Sequence, residues 1–248
     1  MKKLFDLVMR ATGLCNLPVT VRSGLASGAR WTLYPFSSYW RGTSDLDSVK
    51  WVDRFCRPGG TALDAGAHFG LYTVGMARRV GPTGQVVSLE PEPAARAKCE
   101  RHVRMNRLEW VRVFPYAASS NTGTIGLVEN GGSGSTTSFV SNEANVGTPL
   151  ACIRLDDLYA REKLRLPDFI KIDVENHGAE VLSGADTVLG NRPTILMSFH
   201  SKEELAGSRA ILEPRGYRVV SIEGQGVGWD QALYRTAILT TLPPDAFA

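Results

Sequence analysis

Two acidic residues and the glycine turn between them form the part of this sequence whose residue types and spacing predict chemistry. Asp64 closes one short apolar run and Glu90 closes the next, with Gly66 and Gly70 between them. Glycine adopts backbone angles that other residues avoid, so such a turn lets the main chain come close to a ligand. An acid roughly 20 residues further on is placed to accept hydrogen bonds from ribose hydroxyls. The pattern predicts a nucleoside cofactor.

The same turn indicates which nucleoside is bound. A dinucleotide site prefers G-x-G-x-x-G, whose middle glycine admits a pyrophosphate, but His68 stands in the middle here. The Asp64 carboxylate would repel a phosphate and attract a cationic amine or sulfonium. S-adenosylmethionine carries both cations, together with a carboxylate that suits a helix N-terminus. We therefore expect S-adenosylmethionine, against the alternative of an ordinary glycine-rich turn without a ligand.

The surrounding sequence predicts the elements that must position this site. Strand-like and helix-like patterns alternate along the chain, which is the rhythm of βαβ units and predicts a parallel sheet. Later segments continue the alternation and end in a hairpin that closes the sheet. The predicted strands are 61–63, 85–89, 111–114, 169–175, 194–200, 217–222 and 233–240, and the predicted helices are 44–57, 71–79, 93–107, 178–189 and 202–215.

Further polar residues follow the later strands. Asp173 and Glu175 end one apolar run, and His200 ends the next. In a doubly wound α/β sheet, ligands bind outside the carboxyl ends of the strands, so these residues should lie along one edge with Asp64 and Glu90. This convergence predicts an enzyme.

Length and composition are those of one α/β domain with appendages. The chain has 248 residues, of which 43% are hydrophobic and 21% are charged, with a net charge of +3. This charge is too small to indicate a nucleic-acid partner, and no apolar run approaches the ~20 residues of a membrane helix. Four cysteines, at 15, 56, 99 and 152, fit no zinc or redox motif. We expect a cytoplasmic protein with reduced thiols.

The chain divides into an N-terminal appendage, residues 1–43, and a catalytic domain, residues 44–248. Residues 4–8 can share one apolar helical face, which suits packing on the domain, a lid, a homodimer contact or a membrane-surface anchor. Residues 20–35 predict a small β-hairpin. Residues 123–147 are polar and glycine-rich, and predict either a mobile loop beside the site or a flexible linker.

Several sequence blocks, taken in order, resemble the FkbM-type methyltransferases, which are class I S-adenosylmethionine-dependent enzymes. The resemblance implies a Rossmann-like, doubly wound seven-stranded sheet and O-methylation of a sugar, glycan or small metabolite. The blocks are LDAGAHFGLYT at 63–73, VGPTGQVVSLEP at 80–91, AAS at 117–119 with Gly123, RLDDL at 154–158, IKIDVE at 170–175 and GAEVLSGA at 178–185.

The resemblance to the FkbM-type methyltransferases also indicates which residues form the expected cofactor site. We expect no metal ligand in it, and we expect Lys171 to form structural ion pairs with neighbouring acids. The residues expected to bind the cofactor are Asp64, Gly66, Ala67, His68, Gly70, Tyr72, Thr73, Glu90, Pro91, Ala117 and Asp173.

The sequence departs from the family pattern on the acceptor side. Asn176 and His177 stand before Gly178, where the D-x-E-G pattern has the glycine directly, so we expect a turn that is longer by two residues. Ser198 stands where the family tends to carry an acid. The acceptor pocket is expected from this turn, residues 39–41 and residues 131–138.

Methyl transfer to a hydroxyl needs alignment of the acceptor and a general base. The candidates for the base are His200, His177 and Asp173. We favour His200, with Asp173 orienting the acceptor or the sulfonium end of the cofactor. The alternative is a magnesium ion held by Asp173, Glu175 and Glu180, which would lower the pKa of the acceptor.

Three other functions compete with this interpretation. A nucleic-acid methyltransferase would usually carry Asn-Pro-Pro-aromatic after the fourth strand, where this chain has Asp-Val-Glu-Asn at 173–176. A nicotinamide oxidoreductase is disfavoured by His68 and by the absence of a Tyr-x-x-x-Lys pair. A catalytically silent protein that binds S-adenosylmethionine stays open, because fold does not fix function. We expect a small-molecule or carbohydrate acceptor and no nucleic acid.

Overall fold

A sheet of eight strands forms the centre of the fold. The computed structural model describes residues 12–14, 17–33, 37–129, 138–141 and 147–247. The strands lie in the spatial order β13 (Gly226–Val227), β12 (Arg218–Ser221), β14 (Thr236–Thr240), β11 (Thr194–Ser198), β10 (Phe169–Ile172), β3 (Thr61–Ala65), β4 (Gln85–Leu89) and β5 (Val111–Phe114).

The strand directions define where a ligand can bind. β5, β4, β3, β10 and β11 run parallel to one another, whereas β14 runs antiparallel to β11 and to β12. After β3 the chain continues to β4 and β5 on one side of that strand. It later forms β10 and β11 on the other side of β3. Strand order therefore reverses between β3 and β10, and ligands of doubly wound sheets bind at such a point.

Helices cover both faces of the sheet. Successive strand residues point to opposite faces, so Leu63 and Ile170 belong to one buried cluster, whereas Ala62 and Phe169 belong to another. The helices are α1 (Val49–Phe55), α2 (Leu71–Val80), α3 (Pro93–Met105), α4 (Leu155–Glu162), α5 (Gly178–Ser183), α6 (Asp186–Gly190) and α7 (Lys202–Leu212), with short 3-10 turns at Leu46–Ser48, Glu213–Arg215, Trp229–Ala232 and Pro244–Phe247.

Two smaller sheets flank the central one. The first is the antiparallel pair β1 (Pro18–Thr20) and β2 (Arg30–Thr32), which confirms the predicted hairpin. The second has the order β6 (Ala117–Ala118), β9 (Thr148–Ile153), β7 (Gly123–Glu129) and β8 (Ser138–Ser141).

The N-terminal hairpin is attached to α3 through a buried histidine. The His102 ring stacks on Trp31, with 3.6 Å between ring centroids, and its Nε2 accepts a hydrogen bond from Thr32 N at 3.2 Å. Nδ1 donates to the Phe69 carbonyl at 2.8 Å. Burial lowers the pKa of His102 to about 4. The hairpin therefore shares a hydrophobic core with the domain.

Most predicted elements are present, with three differences. β13 adds a two-residue eighth strand to the predicted seven. The prediction of a loop or linker over 123–147 is wrong for its described flanks, which form β7 and β8; the glycine-rich centre lies outside the described residues. The predicted helix at 178–189 divides into α5 and α6 at Gly184, which packs so closely on Ser119 that a Cβ there would lie 2.1 Å from the Ser119 carbonyl oxygen.

Other predictions concern the thiols and the N-terminus. Cys56, Cys99 and Cys152 are buried free cysteines, whereas Cys15 and the expected amphipathic segment lie outside the described residues. Among the described helices, none has the length and apolar character needed to cross a membrane.

Candidate cofactor and acceptor site

The turn after β3 depends on glycine. Gly66 has a φ of 83°, and a Cβ there would lie 2.1 Å from the Asp173 carbonyl oxygen. Gly66 N and Ala67 N donate to the Leu89 carbonyl at 3.1 and 3.0 Å. Gly70, with a φ of 87°, precedes α2. The turn therefore lies against the ends of both β4 and β10, a position that only a residue without a side chain can take.

Glu90 is fixed at the end of β4 by two backbone amides. Its Oε2 accepts from His68 N at 2.7 Å, and its Oε1 accepts from Glu92 N at 2.9 Å. Burial raises the pKa of this carboxyl, although both hydrogen bonds act to lower it. Each carboxylate oxygen has a second lone-pair site, so Glu90 can still accept hydrogen bonds from a ligand.

His68 packs within the turn as a neutral imidazole. Its ring stacks on Phe69 at 3.7 Å between centroids, and its Nδ1 lies 3.2 Å from the Tyr39 hydroxyl. Burial, followed by the charges of Lys171 and Lys98, lowers the pKa of His68 to about 4.

Lys171 joins the two predicted acids Asp64 and Asp173. Its Nζ lies 3.6 Å from Asp64 Oδ1 and 3.8 Å from Asp173 Oδ2, and donates to the Gly66 carbonyl at 2.9 Å. Burial alone would lower the pKa of Lys171, but the surrounding acidic groups, led by Asp173 and Asp64, outweigh it and raise that pKa. The ion pairing expected for Lys171 is thus confirmed for Asp173.

These residues surround a cavity of about 450 Å³ at the point where strand order reverses. Pockets of this size are typical of small-molecule and cofactor sites. Glu90 and Lys171 lie on its wall together with the apolar residues Leu89, Ala94 and Ala118. The expected site residues that line it are Gly66, Ala67, His68, Tyr72, Glu90, Pro91, Ala117, Asp173 and His177.

Four expected site residues lie outside this lining. Asp64 and Thr73 are fully buried, and Thr73 Oγ1 donates to Asp64 Oδ2 at 2.7 Å. Asp64 therefore holds Lys171 and α2 in place instead of facing the cavity, because its whole carboxylate is covered by the fold. Gly70 and His200 are also absent from the lining.

His200 lies behind the cavity among three carboxylates. Its Nε2 is 3.4 Å from Asp173 Oδ1 and 3.7 Å from Glu175 Oε2, and its Nδ1 is 3.5 Å from Glu204 Oε2. The interaction with Glu204 is the main cause that raises the pKa of His200, and Glu175 and Asp173 add to it. Asp173, Glu175 and His200 each present a ligand atom within 4.8 Å of the other two, so they could hold a metal ion.

His177 differs from His200 in its surroundings. It is 2% exposed, and its Nε2 lies 3.0 Å from Ser119 Oγ. Burial lowers its pKa. Glu180, which was expected among the magnesium ligands, lies 3.8 Å from His177 Nδ1 instead.

The turn between β10 and α5 contains two residues in the left-handed region, Glu175 with a φ of 46° and Asn176 with a φ of 67°. This region favours glycine, and Asn tolerates it better than most residues. Asn176 therefore suits the place of the glycine in D-x-E-G. The lengthening of the turn by two residues stays a prediction.

The cavity wall also includes residues that the sequence did not assign to the cofactor site, among them Tyr39, Asp45 and Lys98. Tyr39 and Asp45 precede α1, and Lys98 lies on α3, where it contacts the Phe69 ring at 3.9 Å from its centroid. No motif marks Asp45 or Lys98. The aromatic cluster at 39–41 was the available signal for Tyr39, which was expected only near the acceptor.

The residues present fit S-adenosylmethionine. Glu90 offers acceptors for ribose hydroxyls, Pro91 and the neighbouring alanines offer an apolar wall for a purine, and Asp173 offers a carboxylate for a cationic group. The Gly66 turn supplies the close backbone approach. Sheet order, switch point and site together define a class I S-adenosylmethionine-dependent methyltransferase.

Comparison with known proteins agrees with this class. A family model described as "Methyltransferase FkbM domain" matches residues 64–219. The chain therefore belongs to the FkbM methyltransferase family, and its cofactor is S-adenosylmethionine, as predicted. A comparison with curated protein sequences gives no match.

Solved structures support the fold. A methyltransferase FkbM from Methylobacillus flagellatus is similar with a TM-score of 0.51 and 17% identity, over 77% of this chain and 50% of that one. This chain thus spans half the length of that relative. An rRNA methylase from Streptococcus thermophilus is similar with a TM-score of 0.50 and 11% identity, over 80% of this chain and 96% of that one.

Proposed function

We propose that this chain is an O-methyltransferase that acts on a hydroxyl of a sugar, glycan or small-molecule natural product. The observation that carries the proposal is the Asp173–His200 pair, with 3.4 Å between Oδ1 and Nε2. Asp173 lines the cofactor cavity, and His200 stands next to it at the edge where β10 and β11 end. A carboxylate beside an imidazole is a common arrangement for taking a proton from a hydroxyl.

The mechanism assigns a separate task to each residue. S-adenosylmethionine supplies an electrophilic methyl group when it is bound. Asp173 orients the acceptor hydroxyl, and alignment of this kind contributes several kcal/mol, with ~7–11 in ideal cases. The acceptor oxygen gains the methyl group as the sulfur–methyl bond of the bound cofactor breaks, which leaves a methyl ether and a neutral thioether. His200 Nε2 takes the proton that the acceptor hydroxyl loses and becomes an imidazolium. The carboxylates of Asp173, Glu175 and Glu204 stabilise that imidazolium.

The residues directly after β10 favour oxygen over nitrogen as the acceptor atom. Amine-directed enzymes usually hold their substrate with Asn-Pro-Pro-aromatic at this place, whereas Asp173 to Asn176 offer carboxylates. A hydroxyl has a high pKa and gains most from a nearby base.

Methyl transfer by a His200→Gln variant tests the proposal. We expect kcat to fall by about 10² to 10⁴, with an unchanged dissociation constant for S-adenosylmethionine, because His200 does not line the cofactor cavity. The wild-type rate should rise with pH through a pKa above 6.5, since only the unprotonated imidazole accepts a proton and Glu204 raises its pKa.

The matched control is His177→Gln, which removes the other imidazole. This variant should keep the pH-dependent rise, because His177 is bonded to Ser119. A His200→Gln enzyme with wild-type kcat would refute the base assignment. Binding of the cofactor without transfer to any glycan, polyketide or small alcohol would favour the silent binding protein.

A divalent cation is the second candidate for activating the acceptor. Asp173, Glu175 and His200 present their ligand atoms within 4.8 Å of one another beside the cavity. Carboxylate oxygens suit hard ions, and such an ion would lower the acceptor pKa without an imidazole base. Loss of activity in a chelator, restored by magnesium, would select this alternative; unchanged activity would exclude it.

A further inference from the structure

A second cavity, of about 770 Å³, lies at the reactive edge of the sheet. It is lined by Ser221 at the end of β12 and by Thr236 at the start of β14. Because β14 runs antiparallel, Thr236 pairs with Ser198 at the carboxyl end of β11. The cavity therefore opens at the same edge as Asp173 and His200.

One residue belongs to both cavities. Asp45, immediately before the 3-10 turn at Leu46–Ser48, lines the cofactor cavity and the second cavity alike. The charges of Lys171 and Asp173 both act on the Asp45 carboxyl, whose pKa is raised mainly by burial. Asp45 therefore forms part of the wall of both cavities.

The charges of the second cavity are unbalanced. Its described lining has the carboxylates of Asp45, Asp47, Glu223 and Asp230 against the single guanidinium of Arg235. Within the described part of the chain, none of these five side chains forms an ion pair. The chain as a whole has a net charge of +3, so the wall of this cavity has the opposite sign of charge from the whole chain.

The rest of the lining is mixed in character. Gln225 and Gln231 offer amide donors and acceptors, whereas Val227 and Leu233 offer apolar surface. A saturated ring with hydroxyl groups has matching polar edges and apolar faces. A cationic group on that ring would be attracted by the carboxylates.

We propose that this second cavity binds the amine-bearing part of the methyl acceptor, a hydroxylated compound whose reacting hydroxyl extends past Asp45 to Asp173 and His200. This inference rests on the proposed function, because only a methyltransferase has a methyl acceptor. The preference of the cavity for an amine can nevertheless be measured by binding alone, without methyl transfer. Asp45 then marks the passage from the acceptor cavity to the cofactor cavity.

Calorimetric titration with a matched pair of disaccharides tests the binding preference. The probes are chitobiose, which carries two amines, and its N-acetylated form, which is neutral, at a pH that keeps the amines protonated. We expect the wild-type chain to bind chitobiose at least 10-fold more tightly, and added salt to reduce that preference. Equal binding of the two probes, or binding of neither, would overturn the proposal.

A triple variant tests whether the acids of the second cavity cause the preference for the amine. Asp47→Asn, Glu223→Gln and Asp230→Asn together should abolish the preference for the amine and leave the dissociation constant of S-adenosylmethionine unchanged. The matched control changes three exposed acids elsewhere, Glu109→Gln, Glu203→Gln and Asp245→Asn, and should keep the preference.

The two possible failures can be told apart. If the first triple variant still binds chitobiose more tightly than its N-acetylated form, the assignment of amine binding to the second cavity is wrong. An amine preference that the triple variant abolishes, in a protein that transfers no labelled methyl group to chitobiose or other amine-bearing alcohols, would count against methyl transfer and leave the cation-binding cavity intact.

Discussion

The two cavities at the sheet edge are built in different ways. The cofactor cavity draws most of its wall from short segments at 66–72, 89–98 and 171–177, whose residues are mostly buried or half-buried and are linked by hydrogen bonds such as His68 N to Glu90 and Lys171 to the Gly66 carbonyl. The second cavity draws its wall from the 3-10 turn at Leu46–Ser48 and from 221–237, and its acids are exposed. Segments that are close together in sequence can form a recognisable motif, whereas segments that are far apart in sequence form none.

The histidines follow the same division. On the cofactor side, burial is the largest cause that lowers the pKa of His68 and of His102 to about 4. His200, beside the acceptor edge, faces three carboxylates, and Glu204 leads in raising its pKa. Burial therefore dominates the pKa shifts of His68 and His102 on the cofactor side, whereas carboxylates dominate that of His200 on the acceptor side.

The largest effect is expected from Gly66→Ala. The new Cβ would overlap the Asp173 carbonyl, at 2.1 Å, in a backbone conformation that alanine disfavours. We expect a loss of about 4 kcal/mol in the free energy of unfolding and at least about 100-fold weaker binding of S-adenosylmethionine. Chemical denaturation and calorimetric titration measure both.

Gly190→Ala is the control for this change, because nothing lies within 4 Å of a Cβ there. It should be neutral or slightly stabilising. A Gly66→Ala protein with wild-type stability and binding would show that the close approach of the turn is not required.

Acid should destabilise the cofactor side. Because His102 has a pKa of about 4 in the folded chain and about 6.5 when unfolded, the unfolded state binds the proton first. Stability is therefore full above pH 6.5 and is lost as pH falls towards 4, by about 3 kcal/mol for a fully buried group. Denaturation of wild type and His102→Gln from pH 8 to pH 4 should show a smaller acid loss in the variant.

His200→Gln gives the opposite comparison. A raised folded-state pKa stabilises below the unfolded pKa, and this contribution is lost as pH rises through the folded pKa. The stability deficit of His200→Gln should thus be larger at pH 5 than at pH 8. The same pH trend in both variants would contradict the difference between the histidines of the cofactor side and His200 on the acceptor side.

Glu90→Gln should weaken cofactor binding without unfolding the chain. The amide would have to accept from both His68 N and Glu92 N, and its NH₂ group cannot do so. We expect about 10- to 100-fold weaker binding of S-adenosylmethionine, the equivalent of about 1.5–3 kcal/mol for a hydrogen-bonded charge. Glu109→Gln, an exposed matched change, should bind as wild type does.

The smallest effect is expected from Asp47→Asn on the acceptor side. This exposed acid has no ion pair among the described residues, so the free energy of unfolding should change by less than about 0.5 kcal/mol. The cofactor dissociation constant should not change. A large loss in either measurement would show that the two cavities are coupled more closely than their walls suggest.

Much of the fold could be predicted from the sequence. The predicted strands at 85–89 and 111–114 have the bounds of β4 and β5, because short apolar runs between turn residues mark buried strands. The loop predicted at 123–147 failed for its flanks because Ile125 and Leu150 pack across a small sheet whose long-range pairing leaves a weak local pattern.

The candidate site could be predicted in part. Glu90 and Asp173 line the cavity as expected, since each follows a strand whose end the pattern marks. Asp64 was expected to face the ligand and instead pairs with Lys171 inside the fold. Strand position indicates that a residue lies near the edge, but the neighbours that cover its side chain come from other segments.

Local patterns in the sequence are enough to predict the order of strands and helices along the chain, the glycine turn, the family and the cofactor, because each motif lies within a short stretch of residues. Which acids are covered and which face a cavity depends instead on the packing of the folded chain. That packing also brought Asp45 between the two cavities and Glu204 against His200. Burial and charge pairing depend on segments far apart in sequence, and these become neighbours only when the sheet forms.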